Sequence, residues 1–148
     1  MCAQGRLAHV GMSVESITRT YDFYHKYFGF ELLFTDQFDE TYISSANYIF
    51  RVPEHTVCKF AFMQDAYGTA IELFEFNNKL PFELPPWHRP GIHHLCIEVD
   101  DVRAQYEWMR ADGVAFCEEP RPRQRKVNGE TKYLVFLQDP DGNYLELH

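Results

Sequence analysis

Two histidines and two glutamates stand at corresponding places in a pattern that the chain writes twice. His9 opens the stretch His9-Val10-Gly11-Met12-Ser13-Val14, and His94 opens His94-Leu95-Cys96-Ile97-Glu98-Val99, 85 residues later. Glu72 lies in Gly68-Thr69-Ala70-Ile71-Glu72-Leu73, and Glu146 lies in Gly142-Asn143-Tyr144-Leu145-Glu146-Leu147. Taken singly, a strand histidine is ordinarily a packed or exposed side chain and a strand glutamate a solvated one. Repeated together, two imidazoles and two carboxylates suit a borderline or hard divalent ion: Zn, Ni, Co, Mn or Fe. The carboxylates cancel the ion's charge, and four protein ligands leave about two positions open on a six-coordinate ion. Neighbouring open positions accept a pair of adjacent substrate oxygens. Chelation of that kind eases removal of a proton beside a carbonyl by stabilising the developing enediolate, with a glutamate that loosens from the ion as the base. His9, Glu72, His94 and Glu146 are therefore the candidate metal ligands, and Glu146 and Glu72 the candidate catalytic groups.

The elements that carry these residues follow from the same repeat. After each histidine an alternating strand runs into Glu15-Ser16 or Asp100-Asp101, which are suited to cap a helix. Tyr21 and Phe23 of the first helical stretch match Tyr106 and Trp108 of the second at the same 85-residue spacing, and the stretches end near Gly29 and Gly113. Two further strands are expected before each late strand. In the first half they fall at 30–38 and 57–65, with an irregular or short extended piece at 46–51; in the second they fall at 114–118 and 131–138. Each half thus reads strand, helix, then three strands, which makes the fold class α+β with two βαβββ modules. Module one covers 5–76, a Pro-rich linker with Pro81, Pro85, Pro86 and Pro90 covers 77–91, and module two covers 92–148.

Side-chain alternation sorts the faces. Ala8, Val10, Met12 and Val14 belong under the helix, and His9, Gly11 and Ser13 point the other way. In the second module His93, Leu95, Ile97 and Val99 form the helix-facing set, which leaves His94, Cys96 and Glu98 opposite. Parity therefore selects His94 over His93 as the ligand. Ile71 and Leu73 share the core face with Leu145 and Leu147, while Glu72 and Glu146 project into the company of Phe74, Phe76 and Tyr144. A carboxylate placed among apolar neighbours is costly unless water or a cation meets it. Phe74 and Phe76 are candidates to line a substrate pocket, and Glu98 to support the ligands or wall the site. The stretch from Glu118 to Glu130 carries Arg121, Arg123, Arg125 and Lys126; its arginines are candidates to clamp a carboxylate or phosphate.

The remaining composition bounds the class. The chain has 148 residues and a formal net charge of -8, which argues against nucleic acid or an anionic membrane as the partner. Thirteen Phe, nine Tyr and two Trp are more aromatic mass than a small core needs, so part is available to an apolar pocket. Apolar runs are too short to span a bilayer. The opening Met-Cys-Ala-Gln-Gly-Arg lacks the regions of a secretory leader, and Cys2, Cys58, Cys96 and Cys117 form no C-x-x-C pair, so a cytoplasmic protein with reduced cysteines is expected.

These segments resemble the vicinal oxygen chelate superfamily, the glyoxalase, bleomycin-resistance and extradiol dioxygenase group. The matching stretches are LAHVGMSV with SITRTYDFYHKYFGFEL, then TAIELFEF, GIHHLCIEVDDV and FLQDPDGNYLEL, which together run over nearly the whole chain. The turn Asp139-Pro140-Asp141-Gly142 before Glu146, and the order His, Glu, His, Glu, carry the likeness most specifically. The resemblance implies that the paired modules form a curved mixed sheet around one divalent metal held by His9, Glu72, His94 and Glu146, and that a homodimer acts on a small-molecule substrate. It points to a metal-dependent lyase or isomerase of the lactoylglutathione lyase type. An epimerase acting beside a carbonyl, a non-catalytic binding or resistance protein, and a ring-cleaving dioxygenase are the alternatives. Bacterial lyases of that type place an arginine near the end of the first strand and an asparagine after the first glutamate for glutathione. Ser13 and Phe76 stand about there, which argues against glutathione. Epimerases usually carry glutamine at the Glu72 position, and dioxygenases use two His and one Glu, so the intact set of four favours the lyase.

Overall fold

A computed structural model describes residues 5–124 and 129–148. The chain divides into two compact units, Met1–Pro81 and Phe82–His148. The proline-rich segment is thus split between them.

In the first unit, strand β1 (His9–Ser13) leads to helix α1 (Ile17–Phe28), strand β2 (Glu31–Phe38), short helices α2 (Glu40–Ser45) and α3 (Asn47–Phe50), then strands β3 (Cys58–Gln64) and β4 (Ala70–Phe76). The strands form one mixed sheet in the order β1-β4-β3-β2. β1 runs parallel to β4, and the other two pairings are antiparallel. Ser16 caps α1 through its side chain, which accepts from the Arg19 backbone N–H, and Gly29 closes the helix at φ 69. Thr20 and Tyr24, one turn apart, are buried with Ala61, Met63, Ile71 and Leu73 of the sheet. The apolar strand positions thus face the core, and His9 and Glu72 lie on the opposite face.

In the second unit, strand β5 (His94–Ile97) leads to helix α4 (Val102–Ala111), the two-residue strand β6 (Arg121–Pro122), and strands β7 (Tyr133–Gln138) and β8 (Tyr144–Leu147). The order is β5-β8-β7-β6, again with one parallel pairing, β5 with β8. Asp101 caps α4 by accepting from the Arg103 and Ala104 N–H groups. Val102, Tyr106 and Met109, spaced for one helical face, are buried with Val135, Leu137, Leu145 and Leu147. Each unit is thus a mixed four-stranded sheet with a helix, the two-module α+β architecture expected from the repeat.

Two local expectations are corrected. The segment 46–51 is helical rather than extended: Asp39 accepts from the Tyr42 N–H to start α2, and α3 follows. The span 114–118 supplies only an isolated bridge, Phe116 to Leu137; the outer strand is β6, inside the stretch expected to be an irregular loop. Pro122 has no N–H to offer a further neighbour, so it is tolerated at that edge.

Candidate metal centre

Each unit pairs one histidine with one glutamate on the face away from its helix. His9 Nε2 lies 3.3 Å from a Glu72 carboxylate oxygen, and His94 Nε2 lies 3.2 Å from a Glu146 oxygen. The pairs arise from the same register. His9 is opposite Ala70 in the parallel ladder and His94 opposite Tyr144, so each glutamate projects two residues further on. The glutamate side chains are 15% and 14% exposed, the histidines 43% and 31%. The carboxylates are thus mostly covered while the imidazoles remain reachable.

A phenylalanine edge completes each pair. Phe62 sits edge-on to His9, with ring centroids 5.3 Å apart, and Phe136 meets His94 edge-on at 5.6 Å. Phe62 is the register partner of Glu72, and Phe136 of Glu146. Neither phenylalanine was singled out from sequence. The signal was present: Phe62-Met63-Gln64-Asp65 and Phe136-Leu137-Gln138-Asp139 extend the late repeat upstream. The turns that follow are also duplicates. Asp65 accepts from the Tyr67 and Thr69 N–H groups, Asp139 from those of Asp141 and Asn143, and a glutamine amide reaches the glycine carbonyl in both. These turns deliver β4 and β8, and with them the glutamates, at the same height on the sheet.

Beyond the shared pair the units diverge. On the first sheet Phe74 and Phe76 stack, and Phe50 of α3 packs edge-on against Phe76. Phe74 also leans over Gly11, where an added Cβ would lie 3.1 Å from its ring. Both phenylalanines proposed for a pocket therefore follow Glu72 along β4, on an aromatic surface where Phe60 is the register partner of Phe74. Burial pushes the Glu72 carboxyl above its ordinary value, and the His9 imidazole offsets part of that rise. Cys58, fully buried beside these rings, has its thiol pushed up to about 11 by burial.

On the second sheet the matching positions are polar. Cys96 is the register partner of Glu146, and its sulfur lies 3.5 Å from His148 Nδ1. Arg123 Nη1 lies 3.2 Å from the same nitrogen. Burial raises the Cys96 thiol to about 11, with the nearby Glu146 and Glu98 carboxylates adding to the rise and Arg123 opposing it. Trp87 stacks on both His93 and His94, at centroid distances of 5.6 and 5.3 Å. His93 Nδ1 is buried with no hydrogen-bond partner among the described residues.

The candidate substrate residues separate. Arg123 joins the cluster around His148. Arg121 is instead held by Glu118, its Nε donating to both carboxylate oxygens at 3.0 and 3.1 Å. Glu98 is exposed just past β5. Arg125 lies outside the described residues.

The donor set suits a metal. Two ligands held about 2.0–2.2 Å from one ion, at angles between octahedral and tetrahedral, stand roughly 3.0–3.5 Å apart. Both histidine–glutamate separations fall in that range.

The chain belongs to the Glyoxalase/Bleomycin resistance protein/Dioxygenase superfamily, whose family description matches residues 6–147. It is similar to a probable lactoylglutathione lyase of Vibrio parahaemolyticus, with 27% identity over 98% of this chain and 91% of the relative. It is similar also to a mitochondrial methylmalonyl-CoA epimerase of Dictyostelium discoideum, with 27% identity over 90% of this chain and 70% of that one. The fold matches a glyoxalase family protein from Bacillus cereus at a TM-score of 0.76 and 17% identity, covering 99% of this chain and 94% of the other. Glyoxalase I from Zea mays matches at a TM-score of 0.68 and 24% identity; there the chain covers 96% of itself and 43% of the longer protein.

Proposed function

We propose that His9, Glu72, His94 and Glu146 hold one divalent ion of the Zn, Ni, Co, Mn or Fe group, and that the protein is a metal-dependent lyase or isomerase. The observation that supports this reading is the duplicated histidine–glutamate pair, at 3.3 Å in one unit and 3.2 Å in the other, on matching register positions. A divalent ion held there supplies positive charge that polarises a carbonyl and stabilises charge developing on adjacent oxygens. The chain's own residues do the rest. Glu72, mostly covered and paired with His9, and Glu146, paired with His94, take a proton from the carbon beside the carbonyl and return it. Phe74 and Phe76 receive the apolar part of a small oxygenated substrate and exclude water from the carboxylate.

The similarity to lactoylglutathione lyases favours isomerisation through one carbon and its neighbour. The similarity to methylmalonyl-CoA epimerase supports a second reading, in which the proton leaves one face and returns to the other. In both readings the abstracted proton rests on a glutamate, from which it can exchange with solvent before it is returned. The test is deuterium incorporation from D2O at the carbon beside the carbonyl, across a panel of thiol hemithioacetals and 2-substituted acyl thioesters, with the metal-loaded protein. Exchange that disappears in Glu146→Gln supports the reading; oxygen consumption without exchange overturns it. By resemblance the working form is a homodimer, which light scattering of the metal-loaded protein checks.

A further inference from the structure

We propose that Cys96, Glu146 and His148 form a second cation site, selective for a soft or borderline divalent ion of the zinc class, that competes with the His94 pairing for Glu146. The three donor atoms all lie within 4.8 Å of one another. The sulfur and imidazole nitrogen are already placed for coordination. A thiolate at about 2.3 Å and an imidazole at about 2.0 Å from one tetrahedral ion stand roughly 3.5 Å apart, and the Cys96 Sγ to His148 Nδ1 separation is 3.5 Å. The backbone holds that geometry. Cys96 faces Glu146 in the β5–β8 ladder, and the ladder continues past both strands, with the His148 N–H donating to the Ile97 carbonyl and the Val99 N–H to the His148 carbonyl. Glu146 and His148, two residues apart, project from the same face.

The fold does not require this triad. The corresponding residues of the first unit are Gly11, Glu72 and Phe74, so equivalent positions carry a glycine under a phenylalanine ring. A thiol and an imidazole converging on a carboxylate are therefore particular to the second unit. Thiolate plus imidazole favours zinc-like ions over manganese or magnesium, whereas a histidine and carboxylate set accepts both kinds. Arg123 is the built-in competitor, because its guanidinium occupies the His148 nitrogen that an ion needs. This inference does not rest on the proposed function, since it concerns one unit and residues that the four-ligand set does not use, Glu146 excepted.

Cobalt(II) is the probe, because a thiolate ligand gives it a charge-transfer absorption in the near ultraviolet that histidine and carboxylate ligands do not. His94→Ala frees Glu146 from its other partner. The His94→Ala protein titrated with cobalt should develop that absorption to one equivalent. The signal should disappear in His94→Ala/Cys96→Ala and in His94→Ala/His148→Ala, and persist in His94→Ala/Cys117→Ala. Adding Arg123→Met should strengthen cobalt binding several-fold. The alanine at Cys96 is a mild change, because the equivalent strand position in the first unit is glycine; unchanged far-ultraviolet circular dichroism checks folding. Absence of the thiolate band in His94→Ala, its survival without Cys96, or weaker binding in Arg123→Met would overturn the proposal. Proton-exchange activity of the wild-type protein is a separate readout that none of these outcomes decides.

Discussion

Glu72 and Glu146 occupy equivalent register positions but meet different company. Glu72 is walled by aromatic rings, and burial raises its pKa above the ordinary 4.5. With the pKa raised in the folded state, the native protein binds the proton more tightly than the unfolded chain does. The ionised carboxylate is therefore a penalty on metal-free stability. It sets in as pH rises from 4.5 through the raised value, and is fully present above that value. Glu72→Gln should thus raise the melting temperature of the metal-free protein at neutral pH, with the gain vanishing in acid, while weakening metal binding. Thermal denaturation of both proteins across pH checks this; a Gln variant less stable at neutral pH would contradict it. At the same scale, His94→Ala should lower manganese content and Glu146→Gln should abolish turnover, as elemental analysis and rate measurements would show. The equivalence of the His9–Glu72 and His94–Glu146 pairs was legible because two imperfect copies of one pattern cross-check each other. His148 was not, because its counterpart is Phe74 and a repeat conceals the positions where its copies disagree.

At the scale of elements, the turns before β4 and β8 are one device built twice, and they differ in what surrounds them. Gly68 and Gly142 both take a positive φ, 88 and 90. A Cβ at Gly68 would meet nothing closer than 3.9 Å, whereas one at Gly142 would lie 2.9 Å from the Phe82 ring. Gly68→Ala should cost about 1 kcal/mol for the left-handed backbone alone. Gly142→Ala should cost more, about 2–3 kcal/mol, unless the Phe82 ring swings away. Urea unfolding of the two variants gives the comparison, and equal losses would show that Phe82 yields freely. The long elements were readable from periodicity, since α1 and α4 each bury one stripe and β4 buries Ile71 and Leu73 on one face. The short helices α2 and α3 carry too few residues for an amphipathic repeat to declare itself. Their local clue is the Asp39 side chain capping the Tyr42 N–H. β6 has two residues, one of them a proline, and only its pairing with β7 identifies it as a strand.

At the scale of the molecule, the duplicated pattern revealed the two-module architecture because each module must bury one face and can leave the other to function. Alternation told which side chains share a face. It did not tell which neighbours they meet across the sheet, so the phenylalanine edges on both histidines and the Arg123 contact to His148 emerged only from strand pairing. Among the described residues no helix is long and apolar enough to cross a membrane. The central claim is that both units contribute their histidine–glutamate pair to one ion. Calorimetric titration with manganese(II), which has little affinity for thiolates, tests it most directly in the wild-type, His9→Ala and His94→Ala proteins. One ion per chain in the wild type, with either substitution weakening binding by roughly a hundredfold or more, is the predicted result. Two equivalent ions per chain, or full affinity surviving in either variant, would show that the pairs act separately and would contradict it.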